Sequence, residues 1–166
     1  TTKIEIFWLN GISKMFALPD LKLAWIYYQN PEISILDKME TFNDTFLNAN
    51  YLSQSIFSEI AENGVEFQNS MRNQLESNLH ICNDIDKNIY QYSLPEGGIH
   101  FVLSYNKERF NSDLEFSEFL ENEVSILSHP LSYYEYFSSK PSVVLSILQK
   151  QEDMIEIVGR LNALEI

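Results

Sequence analysis

The residues of this sequence with ligand-like spacing are Asp84, Asp86 and Asn88, which alternate as the first oxygen donors of a calcium loop do. Such a loop needs a glycine at its sixth position and a bidentate glutamate at its twelfth. Ile89 and Pro95 stand there instead, so the segment is not read as a calcium site. His80 and Asp84 are four apart and can share a helix face, but two ligands do not make a metal centre. His100 and His129 lie far away in the chain, and Cys82 is the single cysteine, which leaves a structural zinc without its usual ligand set. No metal and no cofactor is expected.

Covalent and phosphate chemistry leave no local trace either. The chain has no Gly-x-Ser-x-Gly elbow, no Walker loop, no dinucleotide glycine fingerprint and no His-Glu-x-x-His. Gly97-Gly98 reads as a turn. With 24 acids in 166 residues, carboxylate pairs are everywhere, and none can be promoted to general acid and base without geometry. An enzyme on this chain would need a dispersed site whose residues converge only in three dimensions.

The formal net charge is −13. Binding to nucleic acid or to anionic membranes runs on Lys and Arg, so both are excluded as partners, whereas a basic protein would be attracted and steered. The acids are ordered. Asp37, Glu40 and Asp44 fall on one helix face, and Glu115, Glu118 and Glu121 fall on another. Neither Met39–Met71 nor Phe110–Ser139 contains a Lys or Arg. Aromatic anchors beside such a row hold a complex that the charge has steered. Tyr133, Tyr134 and Tyr136, followed by Phe137, stand close to the second row, with at most two of these aromatics expected to be exposed.

The elements that must present these residues read as mainly helical. The steps Met71, Leu75, Asn78, Cys82, Ile85, Ile89, Tyr92 alternate four and three, which predicts one long helix over about 66–92. Shorter helices are expected around it. They run from Leu21 to Gln29, from Asn30-Pro31 with Ile35, Met39, Phe42 and Phe46 inward, from Tyr51 to Glu62, from a cap at Ser112 or Asp113 to Leu127, and from Pro141 through Leu161 with room for an interruption near Glu152-Asp153. Residues 1–18 satisfy both a helical pattern, with Thr2 and Glu5 as a capping box, and a hairpin about Asn10-Gly11. The helical reading is favoured slightly. Ile99 to Tyr105 alternates as a strand does, and a partner at 3–9 is available if the N-terminus is extended.

The expected fold is therefore a mainly α, single-domain bundle over 1–166 around the 66–92 helix, with a small β element at about 98–105. No run approaches the ~18 apolar residues of a membrane span, and with one cysteine the expected location is cytoplasmic. The function expected is that of an acidic inhibitor, monomeric or weakly dimeric. In size, charge and missing motifs it resembles bacterial immunity proteins that cover the substrate-binding surface of a basic toxin, such as a nuclease. The alternatives are an enzyme with a dispersed, motif-less site, a helical scaffold or regulatory domain, and a phage-encoded inhibitor that mimics DNA.

Overall fold

The computed structural model describes residues 4–30, 32–47, 49–106 and 108–164. The chain divides into two compact units, Thr1–Asn69 and Ser70–Ile166. About half of it is helical and the rest includes two antiparallel sheets. The expectation of a mainly α bundle with at most one small β element is corrected accordingly.

The first unit opens with strand β1 (Ile6–Gly11), a one-turn helix α1 (Ile12–Met15), a 3-10 turn at Pro19–Leu21, and strand β2 (Ala24–Gln29). β1 and β2 pair antiparallel, with Ile6 opposite Gln29 and Gly11 opposite Ala24. Neither the helix favoured for the N-terminus nor the one expected over Leu21–Gln29 forms. Ile6 to Leu9 and Ala24 to Tyr28 are near-continuous runs of apolar, β-branched and aromatic residues. Such a run satisfies helical and strand periodicity alike, and its side chains favour the pleated conformation. Asn10-Gly11 is not the hairpin turn but the end of β1. A Cβ on Gly11 would come within 3.0 Å of the Leu23 carbonyl oxygen and 3.2 Å of the Ala24 side chain, which is the close strand approach that glycine permits. Thr2 lies outside the described residues, as does Pro31.

Helices α2 (Ile33–Phe46), α3 (Tyr51–Asn63) and the first residues of α4 (Val65–Cys82) complete this unit. Asn50 caps α3 by accepting from the Ser53 amide at 2.8 Å, and α3 stops at Gly64 as its sequence predicts. Of the expected inner face of α2, Ile35 and Met39 are half-buried. Phe42 and Phe46 are exposed, and their rings meet in a tilted contact with centroids 4.5 Å apart.

The second unit contains the remainder of α4, then β3 (Tyr90–Tyr92), β4 (His100–Tyr105), α5 (Asp113–Val124), β5 (His129–Pro130), β6 (Ser142–Ser146) and α6 (Gln151–Asn162). Its sheet runs β3-β4-β6-β5, all antiparallel. One face is core: Phe101, Leu103 and Tyr105 of β4, with Val143 and Leu145 of β6, pack against Phe116 and Leu120 of α5 and Met154, Val158 and Leu161 of α6. The strand expected near 98–105 thus has β6 and β3 as partners, not residues 3–9. Pro141 opens a strand rather than a helix, because Val143-Val144-Leu145 suits a buried central position.

The long central helix is shorter than its seam. α4 ends at Cys82, where a run of short polar side chains competes for the backbone. Asp86 Oδ1 accepts from the Asn88 amide at 2.8 Å. Asn162 of α6 donates to the Asp84 carbonyl at 2.7 Å and accepts from the Asp86 amide at 2.9 Å. Ile85 reaches the core from this turn and Tyr90 from β3, neither from a helix.

Candidate functional site

In the first unit the best-anchored exposed reactive side chain is the amine of Lys14. It stands on α1, directly after β1, with buried Ile12 and Phe16 two positions to either side. The backbone beneath it is tied at several points. The Ile12 amide donates to the Leu23 carbonyl at 3.1 Å, the Phe16 and Leu18 amides donate back to the Ile12 carbonyl at 3.0 and 3.4 Å, and Gln68 Nε2 donates to the Met15 carbonyl at 3.3 Å. Gly64 lies so close to the Phe16 ring that a Cβ there would collide with it. A buried residue on each side of an exposed lysine fixes its Cα while leaving the ammonium free to react.

Lys22 ends the same connection. It has φ 49°, in the left-handed region, as does Ala17 at φ 50°. A left-handed non-glycine residue costs about 1–2 kcal/mol and persists where its surroundings impose it. Here the Lys22 amide donates to the Pro19 carbonyl at 3.3 Å, and Ser53 Oγ holds the Leu21 carbonyl at 2.7 Å. The connection between β1 and β2 therefore carries a hydroxyl (Ser13), an amine (Lys14) and a second cation (Lys22) on a braced backbone. Among the described residues neither lysine has an ion-pair partner.

Other lysines offer less. Lys140 Nζ is held by Gln91 Oε1 and Asn106 Oδ1 at 2.8 and 2.9 Å, Lys87 lies over the Tyr92 ring, and Lys150 faces Glu152 at 3.9 Å.

The second unit has a cavity of about 340 Å3 whose lining includes His100, His129, Tyr134, Ser146 and Asp153. His129 Nδ1 and the Tyr134 hydroxyl are 2.9 Å apart, and their rings stack. In the core of this unit, Cys82 and Tyr90 are raised above their ordinary ranges by desolvation, Cys82 to about 11. These two groups stay neutral and are core, not catalysts.

The residues singled out from the sequence are placed as follows. Asp37, Glu40 and Asp44 are exposed on α2 of the first unit; Glu115, Glu118 and Glu121 are exposed on α5 of the second. Glu115 is also a capping residue, since its carboxylate accepts from the Asn111 amide at 2.7 Å while Ser112 Oγ accepts from the Glu115 amide. Tyr133, Tyr134, Tyr136 and Phe137 are all exposed, rather than two of them at most. Among the described residues no three His, Cys, Asp or Glu side chains are arranged to hold a metal ion, and no helix is long and apolar enough to cross a membrane.

Sequence reasoning passed over Lys14 and Lys22. The available signal was a lysine with Met15 beside it and Ile12 and Phe16 two positions to either side, where a solvated face would carry more polar residues.

No family model matches the sequence, and no curated protein matches it. Solved structures do. A PLP-dependent aminotransferase from Streptococcus suis matches 94% of this chain with TM-score 0.79 at 19% identity. An alanine aminotransferase from Pyrococcus furiosus matches 98% with TM-score 0.81 at 16% identity. An α-aminoadipate aminotransferase from Thermus thermophilus, solved with N-(5'-phosphopyridoxyl)-L-leucine, matches 94% with TM-score 0.73 at 19% identity. In each case the chain spans only about two-fifths of the other protein, 40%, 42% and 40% respectively. This likeness overturns the expectation of an immunity-type inhibitor and of a non-enzymatic protein. The fold of the chain is that of part of a PLP-dependent aminotransferase.

Proposed function

We propose that this chain is the lysine-bearing part of a pyridoxal-phosphate enzyme that transfers amino groups, with Lys14 as the point of cofactor attachment. The supporting observation is the braced connection between β1 and β2, which presents Lys14 on a fold shared with aminotransferases over 94–98% of its length.

The donor set fits the cofactor. A primary amine is the group that bonds to the cofactor's aldehyde carbon, and Lys14 is the exposed amine whose Cα is fixed from both sides. The phosphate requires a cation and hydroxyl or amide donors. Lys22 and Ser13 supply the first two from the same connection. When bound, the cofactor supplies an electron sink for charge developing at the carbon that bears the amino group. The chain's own part is to hold Lys14 Nζ in place and, once that amine is released, to carry a proton on it. The remaining contacts fall to the three-fifths of the fold that this chain does not span. A cytoplasmic setting belongs to the same proposal, supported by a single, buried and unpaired cysteine.

The test is chemical trapping. The purified chain is incubated with pyridoxal phosphate, reduced with borohydride and mapped by peptide mass. The expected result is phosphopyridoxyl label concentrated on Lys14, lost in Lys14→Ala and weakened in Lys22→Ala. Label spread over Lys38, Lys87, Lys140 and Lys150 as in the denatured chain would reject the assignment.

A further inference from the structure

The β1–β2 hairpin is apolar on both faces; at its Gly11 end Trp25 packs on Phe57, and the large apolar side chains along the rest of both faces stand exposed. Ile6, Trp8 and Tyr27 lie on one face and Phe7, Leu9, Ile26 and Tyr28 on the other, by the strand alternation and register. All are exposed, Trp8 at 66%, Leu9 at 69% and Tyr27 at 61%. Continuous apolar strands of this kind are the signature of a sheet buried on both sides. An isolated two-stranded sheet is marginal in water. Proteins that leave a strand edge open protect it with charge or proline, and neither Ile6–Gly11 nor Ala24–Gln29 contains a single charged residue or proline. On one side the hairpin also borders an open cavity of about 1090 Å3, lined by Leu9, Ile26, Tyr28, Met39 and Phe42 among others. The four-stranded sheet of the second unit differs: one face is core, and its β4 alternates buried Phe101 and Leu103 with exposed His100 and Val102.

We infer that the hairpin is a docking element, completed by a polypeptide that adds strands to its edges and apolar cover to both faces. The match to aminotransferases identifies that occupant, because nearly the whole chain aligns while about three-fifths of each aminotransferase has no counterpart in it. The occupant is the polypeptide that carries this missing portion of the fold. A second copy of the chain is disfavoured, since it would bring a net charge of −13 against another of −13. The inference rests on the reading of the chain as part of a larger enzyme, but it depends on the hairpin and not on Lys14.

Hydrogen exchange tests it, applied to the 166-residue chain and to a chimera in which the chain replaces the matching portion of the Streptococcus suis enzyme. In the isolated monomer the amides of β1 and β2 are expected to exchange roughly a hundredfold faster than those of β4. In the chimera they gain at least about tenfold protection. The pair Trp8→Lys with Tyr27→Lys abolishes that gain while β4 is unchanged. Lys14→Ala leaves the whole pattern intact, so failure of the cofactor assignment and failure of docking are told apart. Three results would overturn the inference: hairpin amides as protected as β4 in a monomeric isolated chain, a folded chimera with an unprotected hairpin, or a dimer that protects the hairpin and is lost in the lysine pair. If the chimera does not fold, the isolated chain alone decides: fast exchange in the monomer supports docking, and protection rejects it.

Discussion

Asp113 holds Ser142 from one carboxylate oxygen, accepting from its amide at 2.7 Å, while the other oxygen accepts from the Ser132 amide at 2.9 Å. One side chain at the start of α5 thus fixes both the entry to β6 and the 3-10 turn that carries Tyr133 and Tyr134. Hydrogen bonds to a charged group contribute about 1.5–3 kcal/mol each, and loss of the acceptor also leaves two amides unpaired. Asp113→Ala is expected to destabilise the second unit by about 2–4 kcal/mol in chemical denaturation. Asp113→Asn should recover part of this, since its amide oxygen can still accept one of the two bonds. Equal melting of parent and Ala variant would show that the clamp contributes nothing.

The buried end of α4 makes a second, graded prediction. Asn78 has no solvent exposure and donates through Nδ2 to the Ile147 and Gln149 carbonyls, both at 2.8 Å. Asn78→Leu keeps the branching of the side chain and removes the buried Oδ1, which has no hydrogen-bond partner, but it adds bulk and strands the Ile147 carbonyl, at a net cost of about 1–3 kcal/mol. Ile85→Ala removes a side chain that is 2% exposed and is expected to cost about 2–5 kcal/mol through lost transfer energy and the cavity left behind. Urea titrations should rank Ile85→Ala as the more harmful of the two; the reverse order would mean that this part of the core is held by its polar bonds.

These residues show what the sequence made legible. The seam did locate buried Asn78 and Cys82, with Leu75 only half-buried, because a heptad-like spacing survives on any helix packed along one face. Its extension to Tyr92 failed because the pattern is blind to the Asp86 and Asn162 side chains, which take over the backbone at Asp84, Asp86 and Asn88. The hairpin was missed for a different reason. Ile6 to Leu9 is apolar at every position, so no period exists to be read, and its eventual cover is not encoded locally. For Lys14 the apolar residues around it were the one signal, and a single lysine has no spacing to reinforce it. Its meaning depends on the fixing of Ile12 and Phe16 around it, which only the packing supplies.

Cys82 gives a pH-dependent prediction with a definite sign. Burial raises its thiol from an ordinary value near 9.0 to about 11. The folded state therefore holds this proton more tightly than the unfolded state. The resulting stabilisation is complete below about pH 9 and is lost as pH rises toward 11, by at most about 2–3 kcal/mol. Alkylation by iodoacetamide at pH 8 should be slow in the native chain and fast in urea. Cys82→Ala should flatten the alkaline decline in stability measured between pH 9 and 11, and a decline that persists unchanged would assign it to Tyr90 and Tyr92, which burial also raises.

The acidic row on α5 separates into members with different roles. Glu115 belongs to the helix cap, accepting from the amide and side chain of Asn111 at 2.7 and 3.0 Å. Glu118 and Glu121 are exposed one turn further on, with no ion-pair partner among the described residues. Like charges at this spacing destabilise a helix by a few tenths of a kcal/mol. The C-terminal end of the helix, which carries partial negative charge, adds to that for Glu121. Glu118→Gln with Glu121→Gln is expected to raise the melting temperature slightly in low salt, and the gain should shrink as added salt screens the repulsion. Glu115→Ala should move it the other way, by about 0.5–2 kcal/mol, with little dependence on salt because a short-range hydrogen bond is lost. If all three substitutions shift stability alike, the row is one solvated face and the capping role of Glu115 is wrong.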